Sequence, residues 1–155
     1  MAALRVLVLH GPNLNLLGER EPATYGRASL VDVDRAISAH AAALGVDVEC
    51  FQSNHEGALI DRLHAARSVG DSPQDGVLLN AGAFAHTSLA LADAVRAVAP
   101  LPVVEVHLTN TVAREAFRRE AVVGQACLAR VEGFGPDSYV VALEGLVRRL
   151  RAAAP

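Results

Sequence analysis

Short apolar runs alternate along the chain with longer stretches in which apolar side chains recur every three or four positions. Five runs, at residues 4–9, 46–51, 76–79, 103–106 and 126–131, are rich in valine and leucine and close on polar or glycine residues, which predicts strands. Between them the spacing predicts helices. Ser29 followed by Asp32 resembles a capping box; Leu30, Val33, Ile37, Ala41 and Leu44 then keep one face apolar until Gly45 stops the helix. A second helix is expected over residues 56–68, with Leu59, Ile60 and Leu63 inward. Thr87 or Ser88 caps a third, which buries Leu91, Ala94, Val95 and Val98 and is ended by Pro100. A short helix is expected at 114–119, and a last one at 138–151 with Val140, Leu143, Val147 and Leu150 on one side. The strands read as near-continuous apolar runs, the pattern of a sheet covered on both faces. The class is therefore α/β: a flavodoxin-like three-layer α/β/α fold with a five-stranded parallel sheet in the order 2-1-3-4-5. With no repeat and no linker except the Ala-Ala-Ala-Pro tail, residues 1–155 are expected to form one domain.

Composition narrows the chemistry. All 14 basic residues are arginine, so the 155 residues contain no lysine. That excludes an imine formed on a lysine amine, and it excludes a P-loop, whose lysine is a phosphate ligand. A net charge of −3 gives no electrostatic reason to expect nucleic acid or an anionic membrane as partner. Charged residues are only 20%, below the ~25% usual for soluble domains, a weak sign that partner subunits cover some surface. The apolar stretch at 4–9 is too short for a secretory leader, and no run approaches a membrane span. Cys50 and Cys127 lie in apolar runs without metal-ligand spacing, which suits free buried thiols in the cytoplasm.

In an open parallel sheet, ligands sit beyond the carboxyl ends of the strands. There the first strand ends in His10-Gly11-Pro12-Asn13-Leu14-Asn15, the third in Asn80-Ala81-Gly82-Ala83-Phe84-Ala85-His86, and the fourth in Glu105-Val106-His107-Leu108-Thr109-Asn110. In the expected order these strands are neighbours, so their tips converge. Gln52-Ser53-Asn54-His55 lies further out, and Asn54 and His55 suit turn or cap roles. His107 beside Asn80 makes a credible general acid. Zinc is disfavoured, because His10, His86 and His107 show no ligand spacing and no cysteine joins them. A loop of about 19 residues after the first strand is long enough to serve as a lid, and it carries Tyr25. A phenol, with an ordinary pKa of about 10, needs a nearby cation to act as a base at neutral pH. Arg20, Arg114 or Arg118 could supply it, although a surface tyrosine packed on the scaffold would look the same in sequence.

Five segments together resemble type II 3-dehydroquinate dehydratases: Gly11-Pro12-Asn13-Leu14-Asn15-Leu16-Leu17-Gly18; Arg20-Glu21-Pro22 with Tyr25-Gly26; Gln52-Ser53-Asn54-His55-Glu56-Gly57; Asn80-Ala81-Gly82 with His86-Thr87-Ser88; and Glu105-Val106-His107-Leu108 with Ala113-Arg114-Glu115. The resemblance covers nearly the whole chain. It implies a flavodoxin-like fold and conversion of 3-dehydroquinate to 3-dehydroshikimate by loss of water, with neither metal, cofactor nor imine. It makes Tyr25 the base, as tyrosinate, and Arg20 the cation that favours that anion. His107 becomes the acid that protonates the departing hydroxyl, oriented by Glu105, and Asn13 holds a water at the enolate oxygen. Asn80, Gly82, His86, Leu108, Thr109 and Arg118 would bind substrate hydroxyls and carboxylate. Arg114 would be a second lid arginine, and Asp93 would reach a neighbouring subunit's site in a homododecamer, a tetramer of trimers.

The chain departs from the family's usual pattern at Thr109, where serine is common, at Val112, where histidine is frequent, and at Glu120-Ala121-Val122, in place of His-Ser-Tyr. These changes leave the chemical roles filled and bear on packing after the fourth strand. Other readings are a relative acting on a different cyclic hydroxy acid, or a binding module of the same fold. A phosphorelay receiver would need an aspartate where Asn80 stands and a lysine the chain lacks, and no hydroxyl-rich loop for a flavin phosphate follows the first strand.

Overall fold

A computed structural model describes residues 2–154. Five strands, β1 (Leu4–His10), β2 (Val46–Gln52), β3 (Gly76–Asn80), β4 (Val103–His107) and β5 (Ala129–Glu132), form one parallel sheet in the order β2-β1-β3-β4-β5. The principal helices are α2 (Leu30–Leu44), α3 (Glu56–Ala65), α4 (Leu89–Ala97) and α5 (Asp137–Ala153), with a single-turn α1 (Pro22–Tyr25) inside the loop after β1. This is the flavodoxin-like arrangement expected from the apolar runs.

Because successive strand residues point to opposite faces, each strand feeds two cores. Val6, Val8, Leu78, Val104 and Val106 pack under α2 and α5; Leu7, Leu9, Val77, Leu79 and Val103 pack under α3 and α4. Each fully buried leucine contributes roughly 1.5–3 kcal/mol relative to exposure. Among the described residues no helix is long and apolar enough to cross a membrane.

Several boundaries differ from the sequence-based expectation, each for a local reason. The fifth strand starts at Ala129 rather than 126, because Gly124–Ala126 form a 3₁₀ turn and pairing begins only where Leu128 N–H donates to Val103. α3 stops at Ala65 rather than 68, where Ser72 N–H and Gln74 N–H fold back onto the carbonyls of Ala65 and Ala66. The segment 114–119 is not one helix. It is two 3₁₀ turns, Thr111–Ala113 and Ala116–Arg119, broken by extended backbone at Arg114 and Glu115 that leaves Arg114 free to turn inward. Ser29 makes the expected reciprocal capping box with Asp32, and Ser88 rather than Thr87 caps α4. On α5 the buried stripe is Tyr139, Ala142, Leu143, Leu146 and Val147, with Val140 and Leu150 at its margin.

One polar chain crosses the α2/α5 core. Asp34 of α2 accepts from His10 Nε2 at 2.7 Å, His10 Nδ1 meets the Tyr139 hydroxyl at 2.9 Å, and Asn80 Nδ2 donates to that hydroxyl at 3.0 Å. A carboxylate can only accept, so Nε2 donates to Asp34, and Nδ1 shares the second bond with the Tyr139 hydroxyl. Burial pushes the Tyr139 phenol well above its ordinary range, against the smaller effect of the Asn80 donor, so the hydroxyl stays protonated. Replacing Tyr139 by Phe leaves two buried polar atoms without a partner. The Tyr139→Phe variant is expected to lose about 1–3 kcal/mol of stability, read as a lower urea midpoint with unchanged slope at fixed protein concentration.

Candidate active site

The register brings the strand tips together. His10 at the end of β1 stands opposite Asn80 at the end of β3, and Glu105 of β4 stands opposite Leu79. Beyond β1 the chain must pass directly over β3. Gly11 N–H donates to the Asn80 carbonyl at 2.7 Å, and a Cβ on Gly11 would lie 2.6 Å from the Ala81 carbonyl, so only glycine fits there. Asn13 follows with left-handed backbone, φ 68°, and its N–H donates to Asn54 Oδ1 at 3.0 Å. Asn54 Oδ1 thus ties the loop after β1 to the end of β2 instead of serving only a local turn, and His55 is the cap residue just before α3, with no side-chain cap bond.

Over these tips lies a cavity of about 180 Å³ whose wall includes Asn13, Asn80, Gly82, His86, His107, Leu108 and Thr109 from the strand ends. Arg20 and Tyr25 reach it from the loop after β1, and Arg114 and Arg118 from the turns after β4. Asn80 is fixed at both ends of its amide, Nδ2 on Tyr139 and Oδ1 accepting from Gly82 N–H at 3.2 Å. Two guanidiniums lie against the ring of Tyr25, with Arg20 Cζ 5.1 Å and Arg114 Cζ 5.2 Å from its centroid. Both guanidiniums are within cation–π reach of the ring. α1 presents this residue, and Gly26 ends the turn directly after it.

Facing the tyrosine, His107 and His86 lie parallel, their centroids 6.0 Å apart. His107 Nε2 is 3.5 Å from Glu105 Oε1, and Glu105 has no solvent exposure at all. His86 Nδ1 donates to the backbone carbonyl of Glu120 at 2.6 Å. That bond uses main chain, which explains how the side chains at 120–122 can vary without releasing His86. Thr109 Oγ1 accepts from Arg114 at 3.5 Å. Arg118 Nε donates to Glu115 at 2.7 Å, and the Glu115 carboxyl is held below the usual range by its own backbone N–H and then by Arg118.

Of the residues singled out in the sequence, Glu105 sits beneath the wall rather than on it, and Asp93 is apart from the cavity. Asp93 is exposed on the outer face of α4, paired with Arg96 at 3.0 Å. One group of potential metal ligands occurs among the described residues: His10, Asp34 and Cys50. Both His10 nitrogens are already engaged, and burial followed by the Asp34 charge pushes the Cys50 thiol far up, so the set suits a hydrogen-bonded core better than a cation. Tyr139 and Arg130 were missed by sequence reasoning. The signal for Tyr139 was its place on the apolar stripe of α5, and for Arg130 a charge inside an apolar strand run.

The arrangement sets a phenol flanked by cations against an imidazole backed by a carboxylate, with amides, a hydroxyl and a guanidinium between them. It can remove a proton from one side of a small polyhydroxylated acid and give one on the other.

The sequence matches the protein-family model for class II dehydroquinases over residues 4–147. A 3-dehydroquinate dehydratase of Synechococcus sp. (strain CC9605) is 50% identical over 97% of this chain and 100% of its own length, and one from Ruegeria pomeroyi is 52% identical over 94% of each. The crystal structure of a type II dehydroquinase from Butyrivibrio crossotus superposes with a TM-score of 0.90 at 37% identity, covering 95% of this chain and 99% of that one. With family, relatives and fold in agreement along almost the whole sequence, the chain belongs to the class II dehydroquinases.

Proposed function

We propose that this chain converts 3-dehydroquinate to 3-dehydroshikimate and water by elimination through an enolate. The observation that carries the reading is that Tyr25, with Arg20 and Arg114 against its ring, lines the same cavity as His107. Tyr25, as phenolate, takes a proton from the carbon beside the ketone, and the electron pair moves onto the ketone oxygen. Asn13 holds a water at that oxygen, where a fixed donor stabilises charge that develops only during the reaction. The enolate then reforms the carbonyl as the hydroxyl on the neighbouring carbon leaves, protonated by His107, and the product is the conjugated enone. Glu105 orients the imidazole. Asn80, Gly82, His86, Leu108 and Thr109 bind substrate hydroxyls, and Arg118 pairs its guanidinium fork with the carboxylate. The absence of lysine from the sequence leaves no side-chain amine for an imine route.

The same reading makes the whole chain one catalytic domain of a cytoplasmic homododecamer, with Asp93 reaching the site of a neighbouring copy from its exposed position on α4. The reaction serves the shikimate pathway to aromatic amino acids or the breakdown of quinate.

Purified protein given 3-dehydroquinate is expected to raise the ultraviolet absorbance of the enone without added metal or nucleotide, and to keep its activity after borohydride treatment with substrate present. A flat absorbance trace beside an active control would overturn the assignment. Replacing Tyr25 by Phe is expected to lower kcat by about 10²- to 10⁴-fold with unchanged circular dichroism; near-normal turnover would show that the base is another group. Light scattering is expected to give about twelve times the chain mass of 16.2 kDa, and a monomer or an isolated trimer would refute the assembly.

A further inference from the structure

β4 and β5 run in parallel register with Glu105 opposite Arg130 and His107 opposite Glu132. Alternation along a strand puts these four side chains on one face, the α3/α4 side that also carries Leu79 opposite Glu105. Two charges on an otherwise apolar edge strand are costly unless they are matched. Here they are. Arg130 Nε lies directly on Glu105 Oε2, while its Nη2 donates to Glu132 Oε2 at 2.9 Å and to Thr111 Oγ1 at 3.2 Å. The Thr111 hydroxyl donates in turn to Glu132 Oε2 at 2.9 Å. Glu105 thus touches a cation with one oxygen and faces His107 with the other. The 3₁₀ turn at Gly124–Ala126 closes over the pair so tightly that a Cβ on Gly124 would stand 2.5 Å from Glu105 Oε2 and 2.9 Å from Arg130 Cδ.

We propose that Arg130 is a positioning residue for the acid step: it holds Glu105 as a carboxylate with Oε1 3.5 Å from His107 Nε2, so that the proton of the Glu105–His107 pair resides on the imidazole at the cavity wall. The inference rests on the acid role proposed for His107. A carboxylate without any exposure loses its hydration and competes with the imidazole for the proton. A guanidinium in contact with Oε2 makes that carboxylate the poorer base while leaving Oε1 to the ring. The other charged or titratable groups facing the pair are Glu132 on β5, His86 after β3, Cys127 beyond the 124–126 turn, and Arg20, Tyr25, Arg114 and Arg118 at the cavity wall. Burial, and then the Glu105 charge, push the Cys127 thiol up to about 12, so it remains neutral. Arg130 is therefore the cation placed to set the state of Glu105. It acts through that carboxylate and touches no reacting atom.

Removing the guanidinium takes one positive charge from the pair. The pair then holds its proton to higher pH, but shares it with Glu105. The test compares Arg130→Met, which keeps the alkyl stem, with Arg130→Lys, which keeps the charge; Arg130→Gln replaces the methionine variant if that one does not fold. Two readouts are used: the pH dependence of kcat and KM for 3-dehydroquinate, and the NMR titration of the His107 ring in ligand-free protein. For the neutral variants kcat is expected to fall about tenfold or more at neutral pH. KM stays within about twofold, and the alkaline limb of kcat moves up by about one pH unit together with the ring titration. Lysine is expected to restore most of each. A folded neutral variant whose limb and ring titration match the parent overturns the proposal, even if kcat has dropped, because a merely structural arginine would leave both in place. The ring titration needs no turnover. A parent protein that fails to dehydrate 3-dehydroquinate would refute the function, and the role of Arg130 would still be decided by the spectrum.

Discussion

Covering both faces of a parallel sheet leaves its polar side chains two places to go: past the carboxyl ends of the strands, or into the interior against polar or charged neighbours. This chain uses both. The apolar bodies of β1, β3 and β4 make the core, and their tips release amides and imidazoles into one cavity. Behind the tips, buried polar residues sit in connected sets: Asp34, His10, Tyr139 and Asn80 under α2 and α5, and His107, Glu105, Arg130 and Glu132 under α3 and α4. The cavity wall is rigid because its members are held from behind, by atoms a substrate never meets.

Much of this was legible in the sequence because it follows from period and punctuation. Near-continuous valine and leucine runs marked the strands, their polar closures marked the cavity, and the order 2-1-3-4-5 followed from choosing the flavodoxin-like arrangement for a chain of this length. What remained hidden depends on contacts far apart in the chain. Glu105 and Arg130 are opposite each other only because β4 and β5 pair in one register, and no local pattern encodes that. Tyr139 reads as one more apolar residue of a helical stripe until its hydroxyl is seen against His10 and Asn80. The turns after β4 read as a helix because alanine and arginine favour one. The break at Arg114 and Glu115 overrides that propensity and lets Arg114 lie against the Tyr25 ring.

Cation placement links the two ends of the proposed chemistry. Arg20 and Arg114 flank a phenol, and Arg130 backs the carboxylate behind the imidazole. All are arginines, as every basic residue here must be. A guanidinium keeps its charge when half-buried and presents a flat face to a ring or a fork to carboxylates. The exclusive use of arginine therefore suits a site whose cations must persist in partly dry surroundings.

The two buried sets lie on opposite sides of one sheet, and this makes the cavity modular. One set ends at Asn80, a proposed substrate contact; the other ends at His107, a proposed proton donor. No side-chain hydrogen bond or ion pair among the described residues joins them through the sheet. Changes beneath α2 and α5 can therefore alter how a ligand is gripped while those along β5 alter how a proton is delivered. This chain therefore has two separate routes by which affinity and turnover can drift apart.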